Sequence, residues 1–82
     1  MDISIDENTK DIILDIAHTF KEIKQINSLY SSPVGHKYTI FITIAVDGNM
    51  TTFNSHKLAD ELEISISSID NVYKCIVHVE PT

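Results

Sequence analysis

Nine consecutive residues, Tyr38-Thr39-Ile40-Phe41-Ile42-Thr43-Ile44-Ala45-Val46, constrain the fold more than any other part of the chain. β-Branched side chains dominate the run. Tyr38, Ile40, Ile42, Ile44 and Val46 alternate with Thr39, Phe41, Thr43 and Ala45, which is the period of a β-strand. Just upstream, Ile26 to Ser32 is shorter and mixed, with Ile26 and Leu29 as its apolar residues, and reads as a modest strand. Ser32-Pro33-Val34-Gly35 follows as a turn, because Pro and Gly supply its special backbone angles. The two strands make a β-hairpin.

Helices flank this hairpin in sequence. Ile12, Ile13, Ile16, Phe20 and Ile23 recur at helical spacing, with Lys10, Lys21 and Lys24 largely on the other side. They predict an amphipathic helix over roughly residues 8–24. Asp6 or Asn8 is available as its N-cap, and Glu7, Asp11 and Asp15 suit its positive end. Residues 1–7 are a lead-in, and His18 falls off the apolar stripe, towards solvent. Asp47-Gly48-Asn49 ends the long strand, and Thr51 caps a second helix over roughly residues 52–67. Leu58, Leu62 and Ile66 form its inner stripe, extended by Ala59 and Ile69, while Asp60, Glu61 and Glu63 cover solvated faces.

The last segment, Val72 to Pro81, reads as a strand. Alternation puts Tyr73, Cys75, Val77 and Val79 on a core-facing row and His78 with Glu80 on the other face. Pro81 lacks an N–H and closes the ladder. The order is α-β-β-α-β, an α+β domain with two helices packed on one face of a three-stranded sheet. The opposite face is then left to water or to a partner.

A chain of 82 residues makes one small domain, residues 1–82. Twelve acidic against six basic side chains give a net charge of −6, which repels nucleic acid. One cysteine excludes an intrachain disulfide and fits a reducing compartment. No apolar run approaches the length of a membrane-spanning helix, and Met1-Asp2-Ile3-Ser4 lacks the basic and apolar regions of a secretory signal.

Enzymatic readings find no support. No serine stands out as a nucleophile paired with a base, and two glycines do not make a phosphate loop. Cys75 is expected in the core as a small hydrophobe, and His36 on the exposed hairpin turn. One constellation remains: His78 and Glu80 on one strand face, with His56 near the start of the second helix. Imidazole and carboxylate donors suit borderline divalent metals such as zinc. Spacing of i, i+2 is common, so by itself it favours a solvated surface pair over a metal site.

Several local motifs, in this order, resemble the cytosolic C-terminal domain of the cation diffusion facilitator family of metal transporters. They are Met1-Asp2, Gly35 before Tyr38, Gly48-Asn49-Met50-Thr51 leading to His56-Lys57-Leu58-Ala59-Asp60-Glu61, and the ending His78-Val79-Glu80-Pro81. The resemblance covers nearly the whole chain. It implies a ferredoxin-like fold and a homodimer on the cytoplasmic side of a membrane. It further implies a preceding six-helix transmembrane domain that exchanges a divalent cation for protons. Metal at the dimer interface would favour the closed, transport-active arrangement.

His56, His78 and Glu80 fall on positions that serve as ligands in metal-binding members. Asn27 and Thr43 fall where many members carry histidine, so the implied site is reduced to three ligands, open to water or to a second subunit. Zinc leads the implied metals, with iron, manganese, cobalt, nickel and cadmium compatible with His and Glu donors. Phe41 and Ile76 are expected as an exposed apolar patch suited to a dimer interface. The competing reading is a free-standing soluble metal buffer or metallochaperone. Six hydrophobic spans encoded upstream of Met1 would remove it.

Overall fold

A computed structural model describes residues 5–82; the Met1-Asp2 motif and most of the lead-in lie outside the described residues. The elements are α1 (Glu7–His18), β1 (Gln25–Val34), β2 (Lys37–Val46), α2 (Thr52–Ser67) and β3 (Val72–Pro81). The expected α-β-β-α-β order and fold class are therefore realised. The sheet order is β1-β2-β3, with β2 in the middle, antiparallel to β1 and parallel to β3. A parallel pair needs a long connection, and α2 supplies it.

The central place of β2 explains its composition. Ile40, Ile42, Ile44 and Val46 are buried against Leu58, Leu62 and Ile66 of α2 and Ile13 and Ala17 of α1. Both helices thus cover the same face of the sheet. Val72 and Cys75 of β3 complete this core, with Leu29, Val77 and Val79 packed at its margin.

Cap chemistry sets the helix starts. The Asp6 carboxylate accepts from the Thr9 backbone N–H at 3.1 Å and from the Thr9 hydroxyl at 2.7 Å, so Asp6 rather than Asn8 is the cap. Those bonds, with the Thr9 hydroxyl first, hold the Asp6 carboxyl below its ordinary pKa. Thr9 is buried, and its hydroxyl also accepts from the Asn71 side-chain amide at 2.9 Å, which ties α1 to the turn before β3. Thr51 caps α2 by accepting from the Asn54 N–H at 3.1 Å, where its sequence context places it.

Four expectations need correction. Helix α1 ends at His18, not near residue 24. Phe20 and Ile23 follow in turns closed by Phe20 N–H to Ala17 O and Ile23 N–H to Phe20 O, both 3.1 Å. Both side chains still pack on the core, so their helical spacing reflected burial, not helix. Ile12, counted in the stripe, is exposed, and Thr9, Ile13 and Ala17 form the buried line instead.

Strand β1 runs through Ser32-Pro33-Val34, with Pro33 opposite Tyr38. The turn is Gly35-His36, where Gly35 has φ +61°, as the first position of a tight two-residue hairpin turn requires. Proline is tolerated there because β1 is an edge strand.

Tyr73 is the fourth. It is 60% exposed, not core-facing. The β2–β3 register pairs Tyr38 with Val72 but Thr39 with Lys74, so Tyr73 is the extra residue of a bulge, and Val72 takes the inward place.

Gly48 shows how the end of β3 is seated. A Cβ there would lie 2.6 Å from the Thr82 backbone oxygen, and Thr82 N–H donates to Val46 O at 2.8 Å. The loop after β2 thus touches Thr82, two residues beyond Glu80.

Candidate metal centre

The sheet face away from the helices carries the candidate residues. In β3, Val77 and Val79 turn towards the core, so His78 and Glu80 point to the open face. His78 Nε2 lies 3.8 Å from Glu80 Oε2, and the two side chains are 69% and 48% exposed. An exposed pair at that distance contributes little to stability.

Glu80 has a second partner. The Asn27 side-chain amide donates to Glu80 Oε1 at 2.8 Å, and the Gln25 amide donates to Asn27 Oδ1 at 2.7 Å. These contacts run from β1 to β3 across the whole sheet. Two features make that span possible. The register steps between Ile26 and Ser28, so Asn27 is the extra residue of a β1 bulge, a device that re-aims a side chain. Gln25 and Glu80 both pair with Ala45 of β2, whose methyl leaves room for polar side chains to meet above it. Thr43 pairs with His78 and so flanks the same cluster.

His56 is elsewhere. It is exposed on the first turns of α2, in a shallow groove with Thr52, Phe53, Lys57, Asp60 and Glu61. Helix α2 covers the opposite face of the sheet from His78 and Glu80. Among the described residues, no three His, Cys, Asp or Glu side chains converge on one point. The expected set of His56, His78 and Glu80 is therefore not assembled within one chain; only His78 and Glu80 are together.

Sequence reasoning placed Asn27 only as a lost histidine and missed Gln25, because the bulge that brings both to Glu80 leaves no mark in the residue pattern. Asp60, Glu61 and Glu63 are exposed on α2 as expected, and His18 and His36 are exposed too.

Cys75 is excluded as a donor. It is buried on the core side of β3, and burial, helped by the nearby Glu63 charge, pushes its thiol up to about 12. A raised thiol pKa favours the neutral form in the folded state. Its contribution to stability is complete below the ordinary thiol pKa and is lost as pH rises from there towards about 12. At neutral pH the native thiol should resist a disulfide reagent and react fully once urea unfolds the chain. Rapid native labelling would contradict its burial.

The chemistry of the open face fits a divalent cation in part. One imidazole nitrogen and one carboxylate oxygen face a common space, with a second-layer amide on the carboxylate. Two donors are short of the four that a tetrahedral ion takes. Beside them runs an apolar row, Tyr30, Phe41 and Ile76, in register across all three strands and exposed.

A family model described as the cytoplasmic domain of cation efflux proteins matches residues 5–82. Protein p34 of Rickettsia rickettsii (strain Sheila Smith) is 26% identical over 81 residues, covering 99% of this chain and 27% of p34. The chain thus spans about a quarter of that curated relative's length. The metal-bound C-terminal domain of the CzcD transporter from Thermotoga maritima matches with a TM-score of 0.86 at 27% identity, over 90% of this chain and 87% of that one. A cadmium form of the MamM C-terminal domain matches with a TM-score of 0.84 at 18% identity, over 93% and 96% of the two chains. That last likeness is one of fold.

Proposed function

Because the chain belongs to the family of cation efflux protein cytoplasmic domains, we propose that it is the regulatory and dimerisation domain of a divalent-cation efflux transporter. In this reading it binds metal between two copies, and so favours the closed, transport-active arrangement of a cation/proton antiporter. Among the described residues no helix is long and apolar enough to cross a membrane. The six transmembrane helices would belong to a preceding part of a longer protein, with this domain on the cytoplasmic side.

The observation that carries the proposal is the open sheet face, where a two-donor pair sits beside an apolar row. Two donors per chain leave an ion short of ligands. A second copy, or water, supplies the rest. In this reading His56 is a ligand supplied by the second copy.

Each protomer carries a net charge of −6, so two copies repel, and a cation between them offsets the repulsion. Binding that favours the paired state shifts the population towards it. Zinc suits one nitrogen and one oxygen per chain, and so do iron, manganese, cobalt, nickel and cadmium.

Calorimetric titration with zinc tests the site on the wild type, on His78→Ala and on His56→Ala. The expected result is binding by the wild type and its loss in His78→Ala. Retained binding in His56→Ala would place the ion on the sheet face alone. Equal weak binding by all three proteins would remove the site.

A further inference from the structure

The Gln25–Asn27–Glu80 chain of hydrogen bonds has a direction, and the direction has a consequence. An ionised carboxylate only accepts hydrogen bonds. The Asn27 atom facing Glu80 Oε1 at 2.8 Å is therefore the NH2, and its carbonyl oxygen faces the other way, towards Gln25. The Gln25 group that meets that oxygen at 2.7 Å must in turn be its own NH2. Three side chains from two strands thus fix one another's orientation, and the charge on Glu80 sets the order.

This arrangement divides the two oxygens of Glu80. Oε1 is taken by Asn27, and Oε2 is the oxygen 3.8 Å from His78 Nε2. The Asn27 oxygen, already engaged by Gln25, is not offered to the same space. We infer that Asn27, braced by Gln25, is a positioning residue that presents Glu80 to a divalent cation through Oε2 alone, and is not itself a donor.

The inference rests on the proposed metal site and deepens it. Each chain then contributes one imidazole nitrogen and one carboxylate oxygen. The Asn27 amide gives Glu80 a hydrogen bond that holds it in place without metal. Freezing a ligating carboxylate in advance reduces the ordering cost of binding, and outer-layer partners of this kind typically change metal affinity by about 10- to 100-fold when removed.

Cobalt(II) is the probe, because its visible absorption reports the donor set separately from affinity. Wild type, Asn27→Ala, Gln25→Ala and Glu80→Gln are titrated, and their thermal midpoints are recorded. The expected result for Asn27→Ala is about tenfold weaker binding with the cobalt band unmoved and the thermal midpoint unchanged. Gln25→Ala moves affinity in the same direction by less. Glu80→Gln changes the band itself.

A shifted band in Asn27→Ala would make Asn27 a donor and overturn the assignment. So would an affinity within about twofold of wild type, or a loss that only tracks a fall in thermal midpoint. If the wild type binds no cobalt, zinc or manganese, the metal site falls together with its positioning residue.

Discussion

Leu62→Ala is expected to destabilise the domain by about 3 kcal/mol, within the range of buried leucine truncations. Leu62 is fully buried, on the inner line of α2 between Leu58 and Ile66, and that line packs on the central strand. The substitution removes buried apolar surface and leaves a cavity that neighbours fill only partly. A domain of this size has roughly 5–15 kcal/mol of stability in all, so the loss is a large share of it. For 60–100 residues each kcal/mol moves the thermal midpoint by about 4–8 °C, which predicts a fall of roughly 12–24 °C. Urea denaturation followed by far-ultraviolet circular dichroism measures it directly. A loss below about 1 kcal/mol would mean that α2 does not cover β2 as described.

Ile76→Glu is expected to do the reverse: leave the fold intact and prevent pairing of two copies. Ile76 is 41% exposed and lies in register with Phe41, which is 39% exposed, with Tyr30 completing the row. A half-exposed position on the open face changes stability little. Between two copies, the new carboxylates would be buried near each other in protomers that already carry a net charge of −6 each. Like-charge juxtaposition at an interface costs several kcal/mol, and about 3 kcal/mol is roughly a hundredfold in dissociation constant. Light scattering with and without zinc reads the outcome. The wild type should become dimeric with metal, and the variant should stay monomeric at the same concentration. A dimeric Ile76→Glu protein would move the interface off the sheet's open face.

These two substitutions separate what each face of one sheet does. Leu62 packs on the face that holds the domain together, and Ile76 belongs to the face that folding leaves unused. The pair His78 and Glu80 sits on that second face, where an exposed polar contact gives folding little. The candidate site can therefore be altered without altering the fold, which makes the binding experiments interpretable.

Much of this was legible in the residues. The alternation in Tyr38–Val46 requires a strand, and its nearly unbroken β-branched content suits one buried in the centre of a sheet. Thr51 marked the start of α2, and the spacing of Leu58, Leu62 and Ile66 gave its buried line, because capping and helical periodicity are local properties. Side-chain alternation likewise put His78 and Glu80 on one face and Cys75 on the other. What failed were positions where packing overrides local pattern. Phe20 and Ile23 keep helical spacing but lie beyond the helix end, since any conformation that returns them to the core satisfies the same pattern.

The sequence by itself determined the elements, their order, the buried line of α2 and the two β3 residues that face away from the core, because all of these follow from chemistry within a few positions. Only the tertiary structure decided which residues meet. It set the β1 bulge that swings Asn27 to Glu80, the β3 bulge that turns Tyr73 outward, and the separation of His56 from His78. The reason is physical: strand register is fixed by pairing between segments distant in the chain, and one extra residue changes which side chain reaches across.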